Sequence, residues 1–167
     1  MRSGIILSIL VTVLLGCGKG NTNMDGTFNG PLSDCLTHHV CTYNYYDHAG
    51  YQGSYPQVVA AGDRVFTYKS IDSSVCDLSK QLFFKSPLNN SSFVISGSQI
   101  SAGGVTYSES CACCDFAYIP KPIGGEIKGK RTGDNRWLIN ATVILADPSN
   151  KPIDTLTVNQ YFILKNL

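Results

Sequence analysis

Charge of either sign is scarce in this chain: 13 lysines and arginines stand against 12 aspartates and glutamates, 15% of 167 residues. No basic cluster breaks the balance, so electrostatic capture of nucleic acid or of anionic headgroups has nothing to work with. Also missing is any apolar run of the roughly 20 residues that a membrane-spanning helix needs. There is no Gly-x-Ser-x-Gly elbow, no Ser-x-x-Lys, no His-Glu-x-x-His and no phosphate-binding glycine loop. The carboxylates, Asp34, Asp47, Asp63, Glu109, Asp115 and Glu126 among them, are scattered, and His38, His39 and His48 are the only imidazoles. The linear sequence therefore motivates no enzyme, and no cofactor is expected. No period of 20 to 50 residues recurs, which excludes a solenoid or propeller.

What the chain does have begins at its N-terminus. Arg2 supplies a positive charge, and Ile5 to Leu15 form an apolar run broken only by Ser8 and Thr12. This is the layout of a secretory signal, too short to span a bilayer. The run ends in Leu14-Leu15-Gly16-Cys17, which resembles the lipobox of bacterial lipoproteins. The resemblance implies cleavage after Gly16, a diacylglycerol on the Cys17 sulfur and, as a rule in that family, acylation of the new amine, for instance by palmitate. Two or three chains at about 0.8 kcal/mol per buried methylene make a firm anchor. The expected organisation is a signal peptide over 1–16, a lipidated cysteine and flexible glycine-rich tether over 17–23, and one domain over 24–167. The expected location is the bacterial cell envelope, on a membrane outside the cytoplasm. The mature chain would carry equal numbers of acidic and basic residues, because the cleaved segment removes only Arg2.

Hydrophobic periodicity places the domain in the mainly β class. Trp137, Ile139, Ala141, Val143 and Leu145 alternate with polar neighbours over 136–146; Leu156, Val158, Phe162 and Leu164 do the same over 154–164. Period two over such lengths means strands with one buried face. Turn residues at 132–135 and 147–150 join them, with 126–131, into an antiparallel meander. Shorter strands are expected at 26–29, 40–46, 57–60, 64–69, 93–98, 105–108 and 116–119. Short helices are expected at 75–82, where Val75, Leu78, Ser79 and Leu82 fall at helical spacing, and at 33–39. About ten short strands separated by turns predict a small barrel or a β-sandwich. The opening Gly26-Thr27-Phe28-Asn29-Gly30 together with the closing meander resembles small lipocalin-like envelope lipoproteins, although Phe28 stands where lipocalins carry tryptophan. That resemblance implies an up-and-down barrel.

Six cysteines remain besides Cys17: Cys35, Cys41, Cys76, Cys111, Cys113 and Cys114. An even count in an exported chain reads as three disulfides. A bond between Cys113 and Cys114 would be strained and one between Cys111 and Cys113 nearly as awkward; if all three cluster cysteines instead reach out to Cys35, Cys41 and Cys76, six of the fifteen possible pairings survive. Zinc is the alternative, with His38, His39, Cys41, Cys111, Cys113 and Cys114 as ligands, but no regular pair of two-residue knuckles exists. Cys111 and Cys114 also form a Cys-x-x-Cys, without the βαβ surroundings of a redox motif.

Tyr43, Tyr45, Tyr46, Tyr51 and Tyr55 crowd one stretch of the chain. Tyrosines suit strands and loops, and exposed together they line binding mouths. The expected role is a non-enzymatic binding or structural module for a small apolar or glycan ligand. Tyr43, Tyr45, Tyr46, Trp137 and Gln160 are the candidate ligand residues; Gln160 alternatively satisfies a backbone group at the barrel wall. An extracytoplasmic hydrolase, or a redox or metal-binding protein, is the competing class.

Overall fold

The computed structural model describes Phe28 and residues 30–167. The signal segment, Cys17 and the tether lie outside the described residues, as does nearly all of the strand expected at 26–29. Nine strands make up most of the rest: β1 (His39–Gln52), β2 (Gln57–Ala60), β3 (Asp63–Asp72), β4 (Leu78–Pro87), β5 (Ser92–Ile95), β6 (Val105–Ser110), β7 (Lys121–Gly133), β8 (Arg136–Ala146) and β9 (Pro152–Leu164). A short helix α1 (Gly97–Gln99) runs directly into a π-helical turn (Ile100–Gly104).

The sheet runs β5-β7-β8-β9-β1-β3-β4-β6, with β2 paired to the far half of β1, and curls into a half-barrel. Neighbours pair antiparallel except at the middle, where β1 and β9 are parallel and share only Asn44↔Ile163 and Tyr45↔Leu164. The β7-β8-β9 meander forms as its alternation requires, and Trp137, Ile139, Ala141, Val143 and Leu145 are all buried. The parallel junction, in contrast, departs from an up-and-down order. Before their two shared pairs β1 and β9 diverge, and residues 30–34 run beside β9 instead. There the Ser33 N–H donates to the Asn159 carbonyl at 2.7 Å, and the Asn159 N–H donates to Ser33 Oγ at 2.8 Å.

Three expectations from periodicity fail, each for a local reason. Residues 75–82 form a turn and the start of β4 rather than a helix. Cys76 and Asp77 both have positive φ (47° and 55°), the Asp72 carboxylate accepts from the Ser74 N–H, and Cys76 is bonded to Cys113. Consecutive left-handed residues cannot lie inside an α-helix, and Leu82-Phe83-Phe84 is strand material. Residues 33–39 form no helix: Ser33 lies beside β9, the His39 N–H donates to the Leu36 carbonyl at 3.0 Å across a turn in which His38 has φ 65°, and β1 begins at His39. Residues 116–119 form no strand; Phe116, Tyr118 and Ile119 are exposed. The strand expected at 93–98 ends at Ile95, where Ser96-x-x-Gln99 turns the chain into α1 and the Gln99 side chain accepts from the Ser96 N–H at 2.8 Å, as in a capping box.

The inside of the curl is packed with rings. Phe66 sits at its centre, with ring centroids 5.2 Å from Phe84 and Phe93, 5.4 Å from Trp137, 5.8 Å from Tyr45 and 6.0 Å from Phe162. Fully burying such a side chain contributes about 1.5–3 kcal/mol, and each well-placed ring pair adds about 0.5–1.5 kcal/mol. Gly129 admits Phe93 to this cluster, because a Cβ there would stand 2.2 Å from the ring. Arg64 closes the end of the curl. Its guanidinium lies 4.7 Å from the Trp137 ring and 5.7 Å from that of Tyr45, while its Nε reaches Asp47 Oδ1 at 2.5 Å.

Candidate functional site

Directly opposed residues of antiparallel strands share a face, so the pairing register places inward side chains in rows. The lowest row, Tyr45-Phe66-Phe84-Val105, is apolar and buried. Above it runs Tyr43-Tyr68-Leu82-Tyr107, and above that Cys41-Ser70-Lys80-Glu109, with His39 opposite Asp72 beyond. β9 repeats the gradient from Phe162 through Val158 and Leu156 to Asp154, each with a β8 partner. The half-barrel is thus a cup, filled and apolar at the Arg64 end and polar at the other.

Where β1 and β9 diverge, the polar end opens into a pocket of about 470 Å³. Tyr43, Tyr68, Leu156 and Val158 form its apolar lining; Asp34, His39, Ser70, Lys80 and Asp154 stand around them. Tyr43 and Tyr68 stack with centroids 5.4 Å apart. Burial, aided by the charges of Tyr68 and Asp34, pushes the Tyr43 hydroxyl above its ordinary pKa. Burial followed by its hydrogen bond to Glu109 does the same, more strongly, for Tyr107. Lys80 is shared between two carboxylates, 3.9 Å from Glu109 and 3.6 Å from Asp154.

One polar chain crosses the wall of this pocket. His39 Nδ1 lies 2.7 Å from Ser70 Oγ, and His39 Nε2 lies 3.4 Å from Asp72 Oδ2. Hydrogen bonds from the Ser74 hydroxyl and N–H hold the Asp72 carboxyl below its usual range, with His39 and His38 adding to the effect. A proton on Nε2 facing Asp72 leaves the Nδ1 lone pair for the Ser70 hydroxyl, the division of roles a nucleophilic serine needs. Ser70 is, however, only 4% exposed and directly opposite the bridged Cys41, which leaves little room around its oxygen for a tetrahedral adduct.

All six cysteines among the described residues are bridged: Cys35–Cys41, Cys76–Cys113 and Cys111–Cys114. Among these bridges only Cys76–Cys113 spans distant segments, so Cys113 alone of the cluster reaches out and the six pairings in which all three do are excluded. The three-residue separation of Cys111 and Cys114 accommodates a bond with Cα atoms 5.3 Å apart, which the pairs one or two apart would not. Every bridge lies at the polar end, at the start of β1, in the β3–β4 turn or after β6. Among the described residues, Cys111, Cys113 and Cys114 bring three sulfurs within 4.8 Å of one another. All three are in disulfides, as is Cys41. His38 is exposed and holds Ser73 through its carbonyl, whereas His39 is turned to Ser70.

The remaining candidates separate. Tyr43 lines the pocket, Tyr45 is core, and Tyr46, next along the strand, faces the other way. Trp137 is fully buried under Arg64, at the filled end, and lines no part of the pocket. Gln160 ties down the N-terminal segment: its Nε2 donates to the Ser33 carbonyl at 3.2 Å and its Oε1 accepts from the Tyr161 N–H at 2.8 Å. Tyr68, Ser70, Lys80 and Asp154 escaped sequence reasoning, whereas Leu156 and Val158 were placed on an inward strand face. The signal was present in Phe66-x-Tyr68-x-Ser70-x-Asp72 and Lys80-x-Leu82-x-Phe84, inward faces that turn from apolar to polar along one strand. No family model, no curated protein and no solved structure matches this chain.

Proposed function

We propose that this chain is a lipid-anchored lipoprotein of the bacterial cell envelope whose β domain holds a small amphiphilic ligand in the pocket between β1 and β9. The observation that carries the binding role is the pocket itself: about 470 Å³, within the range of small-molecule sites, with a tyrosine-and-leucine lining under a polar rim. The three bridges suit an oxidising compartment, and the Leu14-Leu15-Gly16-Cys17 motif supplies the anchor. The small lipocalin-like envelope lipoproteins, which the opening segment and C-terminal meander resemble, offer a parallel for a tethered cup. Two experiments test the two halves. Changing Cys17 to Ser should abolish labelling by a fatty-acid analogue, and continued labelling refutes the anchor. Native mass spectrometry of the protein purified in mild detergent should show a small molecule that is lost in Leu156→Trp, which fills the pocket. Bare protein in both cases counts against a resident ligand.

A second reading, an acyl hydrolase, is favoured by the Ser70-His39-Asp72 chain alone. In it the Ser70 oxygen attacks an ester carbonyl, His39 takes its proton and passes it to the departing alcohol, and water then releases the acyl group from Ser70. Turnover of p-nitrophenyl acetate that is lost in Ser70→Ala, with unchanged thermal stability, would establish this reading in place of the first.

A further inference from the structure

We propose that the ligand of the β1–β9 pocket is an organic cation, an ammonium or guanidinium group carried on a compact apolar or aromatic body. The inference rests on the binding reading above and deepens it. Four carboxylates bear on the pocket: Asp34 and Asp154 line it, Asp72 pairs with the lining His39, and Glu109 lies beside Lys80. Against them stands, among the described residues lining the pocket, one fixed cation, Lys80, already divided between Glu109 and Asp154. Asp154 keeps half of its side-chain surface exposed (52%), so an incoming cation reaches it without displacing Lys80.

Below the carboxylates the stacked Tyr43 and Tyr68 line the cavity. Aromatic rings attract cations through their quadrupole, more strongly the more the cation is desolvated. An anionic ligand would meet four like charges and one occupied lysine, and a neutral one would leave the excess negative charge unanswered. The raised pKa values of Tyr43 and Tyr107 are in part the work of the same charges, Asp34 on the first and Glu109 and Asp154 on the second. Leu156 and Val158 supply a wall for the apolar body.

Three near-isosteric probes separate charge from shape: 2-phenylethylammonium, 2-phenylethanol and 3-phenylpropanoate, titrated calorimetrically at pH 7 into the whole protein in phosphatidylcholine nanodiscs. The ammonium should bind at least ten-fold more tightly than the alcohol, and the carboxylate most weakly. Asp34→Asn and Asp154→Asn should each weaken the ammonium several-fold and leave the alcohol unchanged. Lys80→Gln should strengthen it, an effect of opposite sign that a damaged fold would not produce. Equal binding of alcohol and ammonium, or tighter binding of the carboxylate, overturns the charge inference while leaving the pocket reading intact. No binding of any probe at millimolar concentration sinks both.

Discussion

Removing the Cys76–Cys113 bridge, as the double variant Cys76→Ser/Cys113→Ser, should cost far more stability than removing either local bridge. The bond spans 37 residues of sequence, against six for Cys35–Cys41 and three for Cys111–Cys114. Loop-closure entropy then gives about 4 kcal/mol for the long bridge and about 2 kcal/mol for each short one. A domain of this size is stable by roughly 5–15 kcal/mol, so the long bridge alone represents about a quarter or more of the margin. At about 2–4 °C per kcal/mol the melting temperature should fall by about 8–16 °C. Guanidinium unfolding under non-reducing conditions measures the midpoint, and the m-value should rise because the released unfolded chain expands. Binding should move the other way. Cys41 lines the pocket, so Cys35→Ser/Cys41→Ser should weaken ligand at about half the long bridge's cost in stability, while the Cys76/Cys113 variant binds normally at temperatures where it is folded. A local bridge costing as much as the long one would refute the loop-entropy reasoning.

The Arg64 end offers an ordering test. Arg64→Met keeps the volume over Trp137, and Asp47 is exposed enough (34%) to be solvated alone, so the loss should be about 2 kcal/mol, the worth of a desolvated cation–ring contact. Asp47→Asn strands a buried guanidinium and should cost more, about 3–5 kcal/mol; equilibrium unfolding followed by Trp137 emission reads both, and the reverse order would contradict the ion-pair account. The tyrosines predict alkaline sensitivity. Tyr43, Tyr45 and Tyr107 titrate higher in the folded chain, burial being the main cause in each, whereas the unfolded chain ionises them near pH 10. Stability is thus intact below about pH 10 and falls above it by about 1.4 kcal/mol per pH unit for each tyrosine still neutral in the fold. Tyr107→Phe should lower that slope by one proton; an unchanged slope between pH 10 and 11.5 counts against it.

Strands were legible wherever one face is buried and the other wet, as in 136–146, because period two is then written directly into the residues. Residues 75–82 misled because three apolar side chains fell at helical spacing by accident, while the features that decide the segment, two left-handed residues and a disulfide, depend on distant Cys113. The pocket was illegible for a related reason. His39 and Ser70 lie 31 residues apart, and they line one pocket with Asp154 only because β1 and β9 pair briefly and then part, a consequence of sheet order that no local pattern encodes. The disulfide count could be read from composition, but the pairing followed from which loops the fold brings to the rim. Gln160 stood out correctly as a polar residue on an apolar face, and its partner is the backbone of the N-terminal segment.

Amide chemical-shift mapping tests the central claim, ligand binding between β1 and β9, most directly. Titrating the isotopically labelled protein with 2-phenylethylammonium should shift the amides of residues 33–43, 68–70 and 154–158 in one saturable process. Trp137 and its neighbours at the filled end should stay still. Shifts confined instead to the seam lined by Ile100, Val105, Tyr107 and Ile119, or no saturable shift at all, would contradict the account.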